Sequence, residues 1–229
     1  MSDLISISQA STVIDVTALG LLALGLLSVL VKRLEAAIVL LAGQGILLGV
    51  ASGAAALSDM GWRSWAAFAV AVAVKVVAIP LILWVVLGRL PVHHDHDVES
   101  VVPVKLAFPM AIALVAGAYW VIEPVGAAHI GPHGFDAPNA LPGALGLLMI
   151  GIFLMATRKR ALTQVIGLVT MENAIFLAAV AATHGLPLAV EFGIAMDVLT
   201  GVALMALVTH EIGRLLATTD IDRLRTLRG

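Results

Sequence analysis

Residues 62–88 read WRSWAAFAVAVAVKVVAIPLILWVVLG. Beyond Arg63 the run carries one charge, Lys75. As a helix it is long enough to cross a hydrocarbon core of about 30 Å. Lipid offers no partner to backbone N–H and C=O groups, so a spanning segment must be a helix or part of a closed barrel. The run does not alternate apolar with polar residues, which excludes the barrel. The same reading extends outward to the whole chain. Of 229 residues, 61% are hydrophobic and 12% are charged, whereas a soluble domain carries about 25% charge. Spans are predicted at 10–31, 34–57, 62–88, 101–122, 139–157, 160–183 and 187–215. The expected fold is therefore all-α, a polytopic membrane bundle of about seven transmembrane helices.

The basic residues orient the bundle. Lys32 and Arg33 fall between spans 1 and 2, and Arg89 follows span 3. Arg158, Lys159 and Arg160 fall between spans 5 and 6. Arg214, Arg223, Arg225 and Arg228 lie at the C-terminal end. All of these share one side of a seven-span arrangement, and only Arg63 lies on the other. The positive-inside bias makes the first side cytoplasmic, with the N-terminus outside and the C-terminus inside. The start, Met1-Ser2-Asp3, lacks the basic region of a cleaved signal, so the first span reads as a mature helix.

Spans 1–3 and 5–7 resemble each other in outline. Each triplet has a basic turn, then a helix with a polar residue at mid-membrane (Gln44 or Glu172), then a helix with a mid-membrane ion (Lys75 or Asp197). Span 4 between them makes the repeat parallel, not inverted. The expected organisation is a three-helix unit at 1–90, a linking region at 91–138 with span 4, and a second unit at 139–229.

An ionisable residue at bilayer depth costs a few kcal/mol and so faces protein or water, usually with a partner. The candidates for proton translocation are Glu172, Asp197, Lys75, Lys105 and Gln44. Lys75 lies at the middle of span 3, with Pro80 five residues on. A proline cannot bond back to residue i−4, which would release the carbonyl of Val76 and make a bendable polar spot. Lys75 reads either as a relay element or as half of a static pair with a Glu or Asp. Glu172 is followed by Asn173, and Gln164 lies about 80° around the same helix. A desolvated Glu is suited to carrying a proton; the alternative is a protonated Glu that only hydrogen-bonds. Asp197 is a second acidic candidate, or a structural partner for Lys75. Lys105 begins span 4, where it can snorkel to the interface; Pro109 repeats the Lys-then-Pro arrangement and is a second expected kink. Asp15 reads as a polar contact near the outer end of span 1. Gly45, Gly49 and Gly53 form a stripe that lets another helix approach closely.

Other chemistries are disfavoured. The chain has no cysteine, which removes disulfides and thiolate ligands. No nucleophile elbow, phosphate loop or zinc-helix motif appears. No basic tract suggests nucleic acid. His93-His94-Asp95-His96-Asp97, and His129 with His133, read as solvated loops and not as a metal site. No cofactor is expected in this chain.

The C-terminal triplet carries a family resemblance. Arg158-Lys159-Arg160-Ala161-Leu162 runs into Ile166-Gly167-Leu168 and Met171-Glu172-Asn173-Ala174. This resembles the second helix of the K-type subunit of respiratory complex I, itself related to the C-type subunit of multisubunit cation/proton antiporters. Met196-Asp197, followed by Gly201-Val202-Ala203-Leu204, resembles that subunit's third helix, and the tail from Ile221-Asp222 to Arg228-Gly229 is similar too. A seven-span protein that ends in such a unit resembles the component E family of hydrogenase-4, membrane subunits of group 4 energy-converting hydrogenases. The resemblance implies proton or sodium movement coupled to redox chemistry elsewhere. It implies antiporter-like and other membrane partners, and peripheral subunits with iron–sulfur and nickel–iron centres. It also implies the bacterial or archaeal cytoplasmic membrane. It carries Asp197 over as the third-helix carboxylate. The family's second-helix Glu corresponds here to Val169, and Glu172 stands three residues later, about 300° around the helix. Two other readings stand beside this one: a structural bridging subunit with static ion pairs, and an independent small cation/proton transporter.

Overall fold

The computed structural model describes residues 2–59, 62–88, 100–126, 137–159, 161–182 and 201. These residues are helical apart from short connections. In chain order the helices are α1 (Ser2–Leu30), α2 (Leu34–Asp59), α3 (Trp62–Ala71), a π-helical segment Val72–Ala78, α4 (Ile79–Gly88), α5 (Val104–Gly126), α6 (Ala140–Thr157) and α7 (Ala161–Ala182). Among the described residues six stretches are long and apolar enough to cross a membrane, with α3, the π segment and α4 forming one of them. The protein is thus a multi-pass, all-helical membrane protein. The expected span at 187–215, with Asp197 in it, lies outside the described residues apart from Gly201, as do the His93–Asp97 tract and His129 with His133.

Helix α6 packs against α1, α5 and α7. Its glycines set those distances. A Cβ on Gly143 would stand 3.3 Å from the Ala18 side chain, and one on Gly146 would stand 3.0 Å from Leu22. Gly151 and Gly167 meet at the α6–α7 crossing, where a Cβ on either would stand 2.9 Å from the other's carbonyl oxygen. Between membrane helices burial supplies little drive, so such backbone approach carries much of the association. Helix α2 lies between α1 on one side and α3, the π segment, α4 and α7 on the others. Its Gly45, Gly49 and Gly53 face Lys75, Val72 and Phe68, so the glycine stripe seats the third span. Helix α5 is the most peripheral, with Leu106, Met110, Ile112 and Trp120 exposed. Exposed Trp62, Trp65, Trp84 and Trp120 stand towards helix ends, as an interfacial aromatic belt requires.

Polar contacts tie the ends. The Asp15 carboxylate accepts the Asn139 backbone N–H at 2.6 Å and its side-chain N–H at 2.7 Å. Tyr119 donates its hydroxyl to Asn139 Oδ1 at 3.4 Å. The expected polar contact of Asp15 is therefore the anchor of the α6 N-terminus, where a carboxylate also meets the positive end of the helix dipole. At the opposite face Arg158 is buried and donates through Nη2 to the carbonyls of Ser28 at 3.2 Å and Val29 at 3.1 Å. These are terminal carbonyls of α1, which the helix itself leaves without donors. Burial pushes the guanidinium below its ordinary range, yet an arginine remains charged. Arg158, expected from the sequence as an orienting charge, is thus the C-terminal cap of α1. Arg158→Met is expected to strand both carbonyls and to lower stability by about 1.5–3 kcal/mol. Thermal unfolding in detergent measures this, and a shift no larger than that of Lys159→Met would refute the capping role.

Candidate functional site

Charges cannot be left alone at bilayer depth, and four buried polar side chains meet at one level of the bundle. Lys75 lies midway along the span Ser64–Gly88, Gln44 midway along Leu34–Ser58 and Glu172 midway along Leu162–Ala182. Lys75 donates to Glu172 Oε1 in a salt bridge. It also reaches Asn173 Oδ1 at 3.5 Å, and its ammonium lies 5.4 Å from the centre of the Phe176 ring. Asn173 Nδ2 donates to Gln44 Oε1 at 3.1 Å. The result is a hydrogen-bonded row, Glu172–Lys75–Asn173–Gln44, that joins α7, the π segment and α2. All four residues are buried.

Backbone geometry delivers Lys75 to this row. The π-helical turn widens the helix around it, and Ile79 N–H bonds to the Val74 carbonyl, one residue further back than in an α-helix. In this register the N–H that would serve the Lys75 carbonyl belongs to residue 80, and Pro80 has none. The sequence expectation placed this effect one residue later, at Val76. The i→i+5 register accounts for the difference, and such bulges occur often at functional sites. Gly45 completes the fit: a Cβ there would stand 2.5 Å from the Lys75 carbonyl oxygen. The third span thus comes in close enough for Lys75 to reach α7.

Apolar packing closes the row above and below. Towards the Lys32-Arg33 turn lie Leu34, Ile38, Leu41, Leu83, Leu162 and Val169, a largely apolar layer from α2, α4 and α7 in which Thr163 and Thr170 are also buried. Ten helical steps lead from Leu34 to Gln44, a layer about 15 Å deep. In the other direction Leu48, Ala51, Leu177 and Val180 belong to the main core. Among the described residues no group of three metal-ligating side chains occurs.

The other expected site residues fall elsewhere. Lys105 and Pro109 are exposed at the start of α5, and α5 runs unbroken through Pro109. Gln164, expected on the side of Glu172, is exposed and donates to the Arg158 carbonyl at 3.1 Å. Asn173 was visible in the sequence only as the neighbour of Glu172. The signal for it was the presence of a second polar residue in the middle of an apolar helix.

Comparison with known proteins agrees with this architecture. Residues 140–229 match the family model of NADH-ubiquinone/plastoquinone oxidoreductase chain 4L. The chain is 30% identical over 220 residues to the uncharacterized protein Rv0085 of Mycobacterium tuberculosis, covering 95% of this chain and 97% of that one. It is 29% identical over 161 residues to hydrogenase-4 component E of Escherichia coli K12, covering 68% of this chain and 69% of the relative. The component E of Shigella flexneri matches to the same extent. No solved structure matches the chain. Mid-membrane charges, the chain 4L match over residues 140–229 and near full-length similarity to Rv0085 converge: the chain belongs to the family of complex I-related membrane subunits that includes hydrogenase-4 component E.

Proposed function

We propose that this chain is a non-catalytic membrane subunit of a hydrogenase-like redox assembly and that the Glu172–Lys75–Asn173–Gln44 row is part of its proton route. The observation that carries the reading is the buried Lys75–Glu172 pair, made across two helices at mid-membrane and set by a π turn. A proton passed from the Lys75 ammonium to the Glu172 carboxylate leaves both groups neutral, and the reverse step recharges them. The apolar layers above and below oppose a vertical path within the described residues. The row therefore runs in the plane of the bilayer, towards neighbouring subunits. In this reading the units 1–90 and 139–229 each contribute two members, Gln44 with Lys75 and Glu172 with Asn173, so the site lies between the units. Asp197, outside the described residues, is the family-implied third-helix carboxylate and a further candidate for the route. The basic turns face the cytoplasm, and the partners are antiporter-like membrane subunits and peripheral subunits that hold the iron–sulfur and nickel–iron centres.

A structural reading rests on the same pair, because a static salt bridge also locks α7 to the third span. Glu172→Gln separates the two. It keeps a hydrogen-bond acceptor for Lys75 but cannot take a proton. The proton-route reading expects coupled proton translocation to fall by on the order of 10²-fold, the scale of losing a positioned proton-transfer group, while the complex assembles normally. Unchanged translocation with normal assembly would leave the pair as a bridge only.

A further inference from the structure

We propose that Gln44 binds an internal water molecule through Nε2, beside the Lys75–Glu172 pair. Gln44 is fully buried, and its Nε2 has no hydrogen-bond partner among the described residues. This stranded donor is not an accident of how the amide was oriented. Turning the Gln44 amide over would set Nε2 against Asn173 Nδ2, donor against donor. Turning both amides over would set Asn173 Nδ2 against the Lys75 ammonium, which now meets Asn173 Oδ1. The cation fixes Asn173, Asn173 fixes Gln44, and the donor left over is Nε2.

A buried N–H of this kind is costly to leave unmade. The group that satisfies it must be an acceptor. That rules out a sodium ion, which needs lone pairs and not N–H groups. An anion would enter beside the Glu172 carboxylate, which already pairs with the Lys75 ammonium. Water is the small neutral acceptor that remains, and buried waters characteristically serve otherwise unsatisfied polar groups. Its own protons need acceptors, and the Lys75 carbonyl is a candidate. The Lys75 carbonyl lies against Gly45, the residue after Gln44, and a carbonyl oxygen has two lone pairs, so it accepts from a water whatever else it accepts. The site stands on burial and hydrogen bonding alone, and does not require that protons move through the row.

The test is a density map of the complex containing the full chain, at a resolution where other internal waters are seen. The expected result is a water peak within hydrogen-bond distance of Gln44 Nε2, lost in Gln44→Met and kept in Gln44→Glu, whose second oxygen also binds water. A wild-type map with ordered waters elsewhere and none at Gln44 overturns the proposal. So does a map in which Nε2 meets a protein acceptor. Glu172→Gln bears on the proton route independently, since the water site survives whichever way that experiment falls.

Discussion

Lys75→Met is expected to destabilise the bundle by about 3–5 kcal/mol, the range for removing one partner of a buried ion pair. The loss comes less from the missing attraction than from leaving the Glu172 carboxylate buried without its ammonium. The double variant Lys75→Met with Glu172→Gln removes that charge as well. It is therefore expected to be more stable than Lys75→Met alone, even though it carries one more substitution. Unfolding midpoints of the two single variants and the double variant, in one detergent, give the coupling between the residues. Single effects that add within about 0.3–0.5 kcal/mol would show that the two side chains do not act as a pair. In translocation assays, on the proposed route, both Lys75→Met and the double variant lose coupling. Stability and activity then part company in the double variant, which a purely structural pair does not allow.

Gly45→Ala is the second large effect. Its Cβ would stand 2.5 Å from the Lys75 carbonyl oxygen and 2.9 Å from the carbonyl carbon. Both are backbone atoms and cannot rotate away, so α2 and the π turn must move apart. Overpacking of this kind costs about 1–3 kcal/mol, and here the displaced atoms carry the lysine of the row. Gly53→Ala is the control on the same stripe. Its Cβ would meet the Phe68 ring edge at 3.1 Å, a side chain able to turn. Gly45→Ala is expected to lower both stability and coupled translocation, and Gly53→Ala to change either only slightly. Equal effects of the two substitutions would sink the idea that Gly45 positions Lys75.

The helices were legible in the sequence because lipid enforces them: a long apolar run has one structural outcome, and α2, α4, α6 and α7 end within a residue or two of their expected limits. The pair was legible in kind for the same reason, since a lysine at mid-membrane demands a carboxylate. What the sequence left open was the choice between Glu172 and Asp197, which depends on which helix packs on the third span. The π turn leaves no mark in a Val/Ala-rich segment, because its register is set by packing against Gly45 and not by composition. Pro80 marked the region but misplaced the affected carbonyl by one residue. Helical angles alone put Gln164 with Glu172, but its amide instead serves the Arg158 carbonyl at the start of its own helix. Arg158 itself read only as a topology charge. The hint of its second role is that α1 ends at Leu30 with no Gly or Asn to close it.

The depth of the row has an electrical consequence. With about 15 Å of apolar helix on the side of the basic turns, the row stands near the middle of the membrane field. A unit charge crossing the whole bilayer exchanges about 2.3 kcal/mol per 100 mV of potential, so one travelling between the row and the face of the basic turns exchanges roughly half of that. A proton handed from Lys75 to Glu172, at one depth, exchanges almost none. The membrane voltage therefore barely shifts the balance between the charged and discharged forms of the pair, and acts instead on whatever carries protons to and from this level.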